Sequence, residues 1–337
     1  MLQIKQFDGQ SAFTKLATEW DALAQRSMTN TPFQWLAYQR AWWTHLHPEN
    51  SSLHTLAVYD DEQLVAITSF FLLNGLLYFN GCVEETDYLD LIAPTDYAEA
   101  AWTAVFDHIC HNEQFPHWQG LDLCNVPAAS LSRTLLPQLA AQRGFSFTES
   151  IHEVCPIIQL PDTFDAYLDS LDSKQRREIQ RKLRRADGIG VHIHTVGPDD
   201  DLTQAVDDFL RLLEKSTPEK KDWLNPQRRA VFHDTAQAAL AAGTLNLMFA
   251  EVDGQRGAAL FNFDYNGRIW VYNSGLDPYA FSKLSLGWVL SSKAIQGAIE
   301  NGRFEFDFLR GNEEYKYKFG AEDTTIYRLQ VSREDTE

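Results

Sequence analysis

Phe304-Glu-Phe-Asp-Phe-Leu-Arg-Gly-Asn-Glu-Glu-Tyr-Lys-Tyr-Lys-Phe319 decides how the rest of this chain is read. Phe304, Phe306 and Phe308 alternate with polar residues, the period of a strand, and Arg310-Gly311 breaks the run into a polar turn. A strand end, a turn and a short helix would then gather Asp307, Arg310, Glu313, Tyr315 and Lys316, that is, carboxylates, cations and a phenol within ten positions. The competing reading is an ion-paired helix terminus with no chemistry attached.

Immediately upstream, residues 269–273 read as a strand, 273–278 (NSGLDP) leave it, and 286–300 form the next helix. Ser282-Lys-Leu-Ser-Leu-Gly287 therefore falls at a strand-to-helix junction, which by itself is an ordinary capped helix start. Further back, residues 173–186 read as a helix. At about 100° per residue Ile179, Leu183 and Ala186 share one face, while Lys174, Arg177, Arg181, Arg184 and Arg185 form a stripe on another. Residues 174–185 carry a formal charge of +6 in a chain of net charge −18, so the remainder carries −24. Cations without matching acids repel one another, which makes the stripe a candidate anion site as well as a solvated face. The acidic remainder argues against non-specific nucleic-acid binding, and no DNA partner is expected.

The chain repeats itself. Residues 53–59 and 64–73 alternate as strands around Asp60-Asp61-Glu62, and Asn74-Gly75 makes a tight hairpin into 76–80. Shifted by 192 positions, residues 53–79 fall on 245–271 with seven identities and no gap, among them Asp61 on Asp253, Phe71 on Phe263 and Asn74-Gly75 on Asn266-Gly267. That pattern indicates a duplicated folding unit, against the alternative of chance likeness between two amphipathic hairpins. Around the first copy, residues 11–26 read as a helix with Phe13, Leu16, Trp20 and Leu23 on one face, and Thr31-Pro32 opens a second that carries Phe33, Leu36, Trp42 and Trp43. Helix 98–111, strand 121–124, helix 131–143 and strand 145–148 follow. Two further helices are expected between strand 192–196 and residue 245.

At 337 residues two domains are expected, 1–155 and 156–337, the second including the basic helix 173–186. The longest apolar run, residues 64–73, is too short for a membrane span and no secretory layout opens the chain, so a cytoplasmic location is expected. Cys82, Cys110, Cys124 and Cys155 lack zinc-like spacing and are expected reduced. His192 and His194 alternate without a third ligand, and no metal is expected.

Residues 304–319, with NSGLDP (273–278) and FSKLSLGWVL (281–290), resemble the C-terminal signature of the CelD/BcsL-type acetyltransferases. These belong to the GNAT superfamily and are related in fold to the FemAB-like peptidoglycan aminoacyltransferases. A looser likeness extends to TPFQWLAYQRAWW (31–43). The resemblance implies an α/β (α+β) fold of tandem GNAT-like domains, each a mixed, mostly antiparallel sheet flanked by helices. It also implies acyl transfer, most simply acetyl, from acyl-CoA to an amine or hydroxyl of an envelope or exopolysaccharide precursor. The coenzyme pyrophosphate would meet the helix start at Lys283, Ser285, Leu286 and Gly287. The family's usual loop has Gln or Arg, two residues, Gly, one residue, then Gly or Ala, and here Ser282 and Ser285 stand at the first two marked positions. By the same resemblance the Tyr-Lys pair falls on Tyr315, a candidate proton donor, and Lys316, expected to lower its pKa or stabilise developing charge. Asp307 and Glu313 are candidate bases, Asp277 an outside one, and Arg177, Arg181, Arg184 and Arg310 candidate anion-binding groups. Two rival readings remain open: a FemAB-like transfer from aminoacyl-tRNA, with the basic helix touching RNA, and a non-catalytic ligand- or partner-binding pair.

Overall fold

Asn74-Gly75 and Asn266-Gly267 turn the chain in the same way, each with both residues at positive φ, which suits the two-residue hairpins that join twisted strands. The computed structural model, which describes residues 2–82 and 85–333, extends this equivalence along both copies. Asp61 and Asp253 share a left-handed conformation. The first hairpin shifts register between Val58 and Tyr59 and the second between Ala250 and Glu251, again 192 positions apart. The duplication is thus written into backbone conformation as well as into side chains.

Two units divide the chain: residues up to Glu153 together with those from Thr325 onward, and Val154–Thr324. The first contains β1 (Gln3–Asp8), α1 (Ser11–Lys15), α2 (Trp20–Ala24), α3 (Leu36–Leu46), β2 (Ser52–Asp60), β3 (Gln63–Leu73), β4 (Leu76–Phe79), α4 (Ala98–His111), β5 (Gly120–Pro127), α5 (Ser132–Gln142) and the first part of β6 (Ser146–Gln159). Its strands lie in the order β1-β2-β3-β4-β5, and the last strand of the chain, β12 (Glu322–Ser332), pairs antiparallel with β5 from Ile326 onward. Where the sequence predicts one helix over 11–26, the chain makes two short ones. The apolar positions Phe13, Leu16, Trp20 and Leu23 are nonetheless all buried, with the Phe13 and Trp20 ring centres 5.9 Å apart. The aromatic residues of the next segment are likewise core: Phe33, Trp42 and Trp43 are buried, and Trp42 stacks on Phe71.

The second unit contains the rest of β6, then α6 (Phe164–Ser170), α7 (Ser173–Ile189), β7 (His192–Thr195), α8 (Leu202–Ser216), α9 (Pro218–Trp223), α10 (Pro226–Ala241), β8 (Leu245–Val252), β9 (Gln255–Tyr265), β10 (Arg268–Leu276), α11 (Leu286–Glu300), β11 (Glu305–Asp307) and α12 (Glu314–Lys318). Three helices, not two, precede β8, because Pro218 and Pro226 each start a new one. The strand order is β6-β11-β10-β9-β8-β7, antiparallel except for β10 with β11. One face carries α11 and an apolar core that includes Ile179, Leu260, Val271, Leu290 and Phe306. On the other face Phe209 of α8 and Phe232 of α10 pack against Phe261.

The chain passes from the first unit to the second between Glu153 and Val154, within the 14-residue strand β6. Cys82 and Cys124, expected reduced, are joined as a disulfide with 5.7 Å between their Cα atoms, while Cys110 and Cys155 are free. Among the described residues no helix is long and apolar enough to cross a membrane.

Gly275 on β10 lies directly against the backbone of α8: an added Cβ would meet Leu213 N at 2.7 Å and Leu212 Cβ at 2.8 Å. Backbone atoms cannot yield as a side chain can, so Gly275→Ala should destabilise the protein by about 1–3 kcal/mol. Gly297→Ala, on α11 with nothing within 4 Å, should be neutral or stabilise by up to about 1 kcal/mol. Urea unfolding midpoints of the two variants check the pair.

Candidate functional site

β10 and β11 run parallel for only three paired positions, Arg268 to Trp270 against Glu305 to Asp307. β10 then bulges between Val271 and Asn273 and continues to Leu276 paired with β9 alone, while β11 ends. Beyond the point where they part lies a cavity of about 430 Å³. Ser274, Gly275 and Leu276 line it from β10, Asp277 and Phe281 from the loop, Ser285, Leu286, Gly287 and Trp288 from the start of α11, Lys182 from α7, and Tyr315 and Phe319 from α12 and its end. Its walls are chiefly apolar, with a few polar groups among them, the usual makeup of a small-molecule site.

The start of α11 leaves backbone donors unspent. Trp288 N and Val289 N both donate to Ser285 O, and the amides of Leu286 and Gly287 have no acceptor among the described residues. α11 is capped by no side chain, so its positive end faces the cavity bare. Ser285 itself has φ 55° and ψ 49°. That left-handed conformation explains why glycine is the usual choice here and what Ser285 gives up by standing in its place. Among the described non-glycine residues at positive φ, six are Asn or Asp, which tolerate it; the other three, Phe281, Ser285 and Leu309, all belong to this region.

Lys182 stands between the buried face and the outer stripe of α7. Its Nζ lies 4.0 Å from the Trp288 ring centre and 3.4 Å from Glu178. Burial holds its pKa below the usual lysine value, against the opposing pull of Glu178. Tyr315 packs edge-on against Phe308, 6.0 Å between ring centres, and no hydrogen bond reaches its hydroxyl among the described residues. Its phenol is pushed upward, first by burial and then by the charge of Glu313.

Of the residues that sequence reasoning named, the structure brings Tyr315, Ser285, Leu286, Gly287 and Asp277 to the cavity, and Lys316, Asp307, Glu313 and Lys283 are not on its wall. Lys316 is 3% exposed and turns inward: Nζ donates to the carbonyls of Leu309, Arg310 and Gly311 at 3.1, 2.7 and 2.9 Å and pairs with Glu313 at 2.9 Å. It clamps the turn after β11, including the left-handed Leu309, and does not lower the Tyr315 pKa as its position in sequence suggested. Glu313 is largely exposed and occupied by Lys316. Asp307 is buried, with Oδ1 accepting from Leu309 N at 2.7 Å. Asp277 reaches the wall but is committed: Lys215 donates to Oδ2 at 2.7 Å and the amides of Tyr279 and Ala280 to Oδ1 at 3.0 Å, which lowers its pKa.

Arg177, Arg181 and Arg184 stay on the exposed side of α7, away from the cavity wall, and Arg310 offers its carbonyl to Lys316. Arg181 pairs with Glu178 at 2.8 Å, holding that carboxyl at about 2, whereas Lys174, Arg184 and Arg185 have no acid partner among the described residues. His194 bonds Asp200 at 3.0 Å and His192 faces Glu251. Sequence reasoning missed Lys182, whose angular position between stripe and core was the available signal. It also missed Lys220 of α9, whose Nζ lies against Asn273 and Ser274.

The family model of the acetyltransferase (GNAT) domain matches residues 173–317, the span from α7 to α12. Among solved structures the chain is similar to FemX, with TM-score 0.66 at 10% identity over 96% of both chains. It is also similar to a conserved protein of unknown function from Bacteroides thetaiotaomicron, with TM-score 0.63 at 13% identity over 99% of this chain and all of that one. L-PGS from Bacillus licheniformis follows with TM-score 0.57 at 11% identity, covering 94% of this chain and 91% of that chain. No curated protein matches the sequence. The fold is GNAT-like, a mixed α/β arrangement with mostly antiparallel sheet flanked by helices.

Lys316→Met removes a buried ammonium from three carbonyls, and hydrogen bonds to charged groups are individually worth about 1.5–3 kcal/mol. Its unfolding midpoint in urea should fall by the equivalent of about 3 kcal/mol, while Lys283→Met at the exposed turn should change stability by less than about 0.5 kcal/mol.

Proposed function

We propose that the protein transfers an acetyl group from acetyl-CoA to an amine or hydroxyl of an anionic precursor of the cell envelope or of an exopolysaccharide, and acts in the cytoplasm. The observation that carries this reading is the pair of unspent amides at Leu286 and Gly287, opening with Lys182 onto an apolar cavity where β10 and β11 part. A diphosphate fits that helix end, because the amides and the helix dipole supply positive potential without a counter-charge of their own. The apolar walls suit an extended acyl-pantetheine arm. Tyr315, a lining residue held protonated at neutral pH, is available to give its proton to a departing thiolate. Asp277 is unsuited to act as base, since its carboxylate is bonded and its pKa lowered. The unpaired cations Lys174, Arg184 and Arg185 on α7 supply attraction for an anionic acceptor in an otherwise acidic chain.

That cationic stripe also favours a second reading, transfer of an aminoacyl group from charged tRNA, in which binding weakens steeply with salt. Calorimetry separates the two. Acetyl-CoA should bind at micromolar to low-millimolar concentration and keep most of its affinity between low and moderate salt. Gly287→Asp has room for its side chain and leaves a carboxylate where helix ends favour one, so the variant should fold. It should nonetheless weaken acetyl-CoA binding by about tenfold or more, by repulsion of the phosphates. No heat at millimolar acetyl-CoA, together with salt-sensitive tRNA binding, would favour the second reading.

A further inference from the structure

Lys220 is the least expected cation of the second unit. It lies on the short helix α9, whose first turn is held by Thr217 Oγ1 accepting from Lys220 N at 3.2 Å. Its side chain runs to the unpaired edge of β10: Nζ donates to Ser274 O at 2.7 Å and to Asn273 Oδ1 at 3.1 Å, with Ser274 Oγ at 3.5 Å. No carboxylate pairs with it among the described residues. Two charged groups bear on it from outside its own helix, Glu313 and Lys316, with opposite effects. Asn273 and Ser274, its partners on β10, are neutral.

The register of β10 shows what the two partners join. Asn273 lies opposite Phe261, on the face packed by α8 and α10, and Ser274 lies opposite Leu260, on the face of α11 and the cavity. Lys220 therefore rises from one face to the strand edge, and Ser274, a cavity-lining residue, carries the contact to the other. The three partners, all neutral oxygens, can take the three hydrogens of the ammonium and can also serve the neutral amine. A neutral amine has two N–H groups and one lone pair: Ser274 O and Asn273 Oδ1 take the two hydrogens, and the Ser274 hydroxyl, which can turn either way, is left to face the lone pair. The carboxylates near the site offer no comparable acceptor, since Asp277 is held by Lys215, Asp307 by Leu309 N, and Glu313 by Lys316.

We infer that Lys220 and Ser274 form the proton-accepting pair of the reaction, with the Ser274 hydroxyl passing the acceptor's proton to the Lys220 amine. This rests on the acyl-transfer reading above. The attacking nitrogen or oxygen of the acceptor forms a bond to the thioester carbonyl carbon, and the carbon–sulfur bond breaks. The proton lost by the attacking atom goes to Ser274 Oγ as the Ser274 hydroxyl proton moves to Nζ. The thiolate takes the Tyr315 proton, and solvent removes one proton from Lys220 and restores one to Tyr315. Burial agrees with this assignment, holding Lys220 at about 8, below its ordinary value of 10.5, so that a useful fraction is free amine near neutral pH.

The test uses the full chain with acetyl-CoA, first for binding by calorimetry, then for thiol release with water as the acceptor across pH 6 to 10, a range on the order of two units either side of the expected value. Wild-type kcat/KM should rise with pH and level off above about 8. Lys220→Met should bind acetyl-CoA as the wild type does but lose about 100-fold in kcat. Lys220→Arg keeps donors for Ser274 O but cannot deprotonate, so it should show the same loss and no ascending limb. Ser274→Ala should lose about tenfold with the limb retained. Lys221→Met, on the neighbouring exposed position, should be unchanged.

Independent of turnover, ¹³C-methylated lysines followed by NMR should show one resonance titrating near 8, absent in Lys220→Arg. Normal acetyl-CoA binding with undiminished turnover in Lys220→Met, or a Lys220 resonance titrating near 10.5, would overturn the pair while leaving the donor assignment intact. Absent acetyl-CoA binding would instead overturn the donor assignment.

Discussion

Everything in the second unit follows from the short parallel contact between β10 and β11. Parallel strands pair only while both continue, and β11 stops after three residues while β10 bulges and runs on. The edge that β10 exposes beyond Trp270 must still satisfy its backbone groups, and Lys220 does so at the Ser274 carbonyl. The space that opens there is roofed by the start of α11 and by α12, which brings bare helix amides, a phenol and an amine into reach of one cavity. Conserving that gap requires left-handed backbone at Phe281, Ser285 and Leu309, conformations that side chains disfavour and that persist because packing and the Lys316 clamp over-determine them.

The first unit shows the same scaffold used differently. β4 and β5 also run parallel for only two paired positions, Leu76-Leu77 against Gly120-Leu121. The chain then covers its own opening: Asn125 Nδ2 donates to Thr86 O at 2.7 Å, Leu89 N donates to Asn125 O at 3.0 Å, and Cys82 is bonded to Cys124 of β5. In the same unit Asp90 is buried, accepts from Thr29 and Ser132, and has its pKa raised by burial. The duplicated unit has thus kept its hairpins and given its gap to packing in one copy and to a cavity in the other.

Charge is divided in a related way. The acidic majority of the chain lies outside α7, and the cations of α7 fall into two sets by angle: an outer stripe open to solvent, and Lys182, turned to the Trp288 ring and the cavity. A surface charge acts at a distance and is screened by salt, whereas Lys182 and Lys220 act within a partly desolvated space where each interaction counts for more.

The amino-acid sequence by itself determined the duplication, the hairpins at Asn74-Gly75 and Asn266-Gly267, the basic face of α7 and the helix start at Ser285 to Gly287, because each depends on neighbours in the chain: turn chemistry, a 3.6-residue period, a left-handed position. It also marked Tyr315. It could not tell Lys316 from Lys220. One lies beside that tyrosine and is spent on three carbonyls; the other lies nearly a hundred residues earlier and reaches the open strand edge. Only the tertiary structure decided this, since a lysine's role is set by which oxygens surround its nitrogen and how much water they exclude, and those oxygens come from segments that meet only when the sheet has formed.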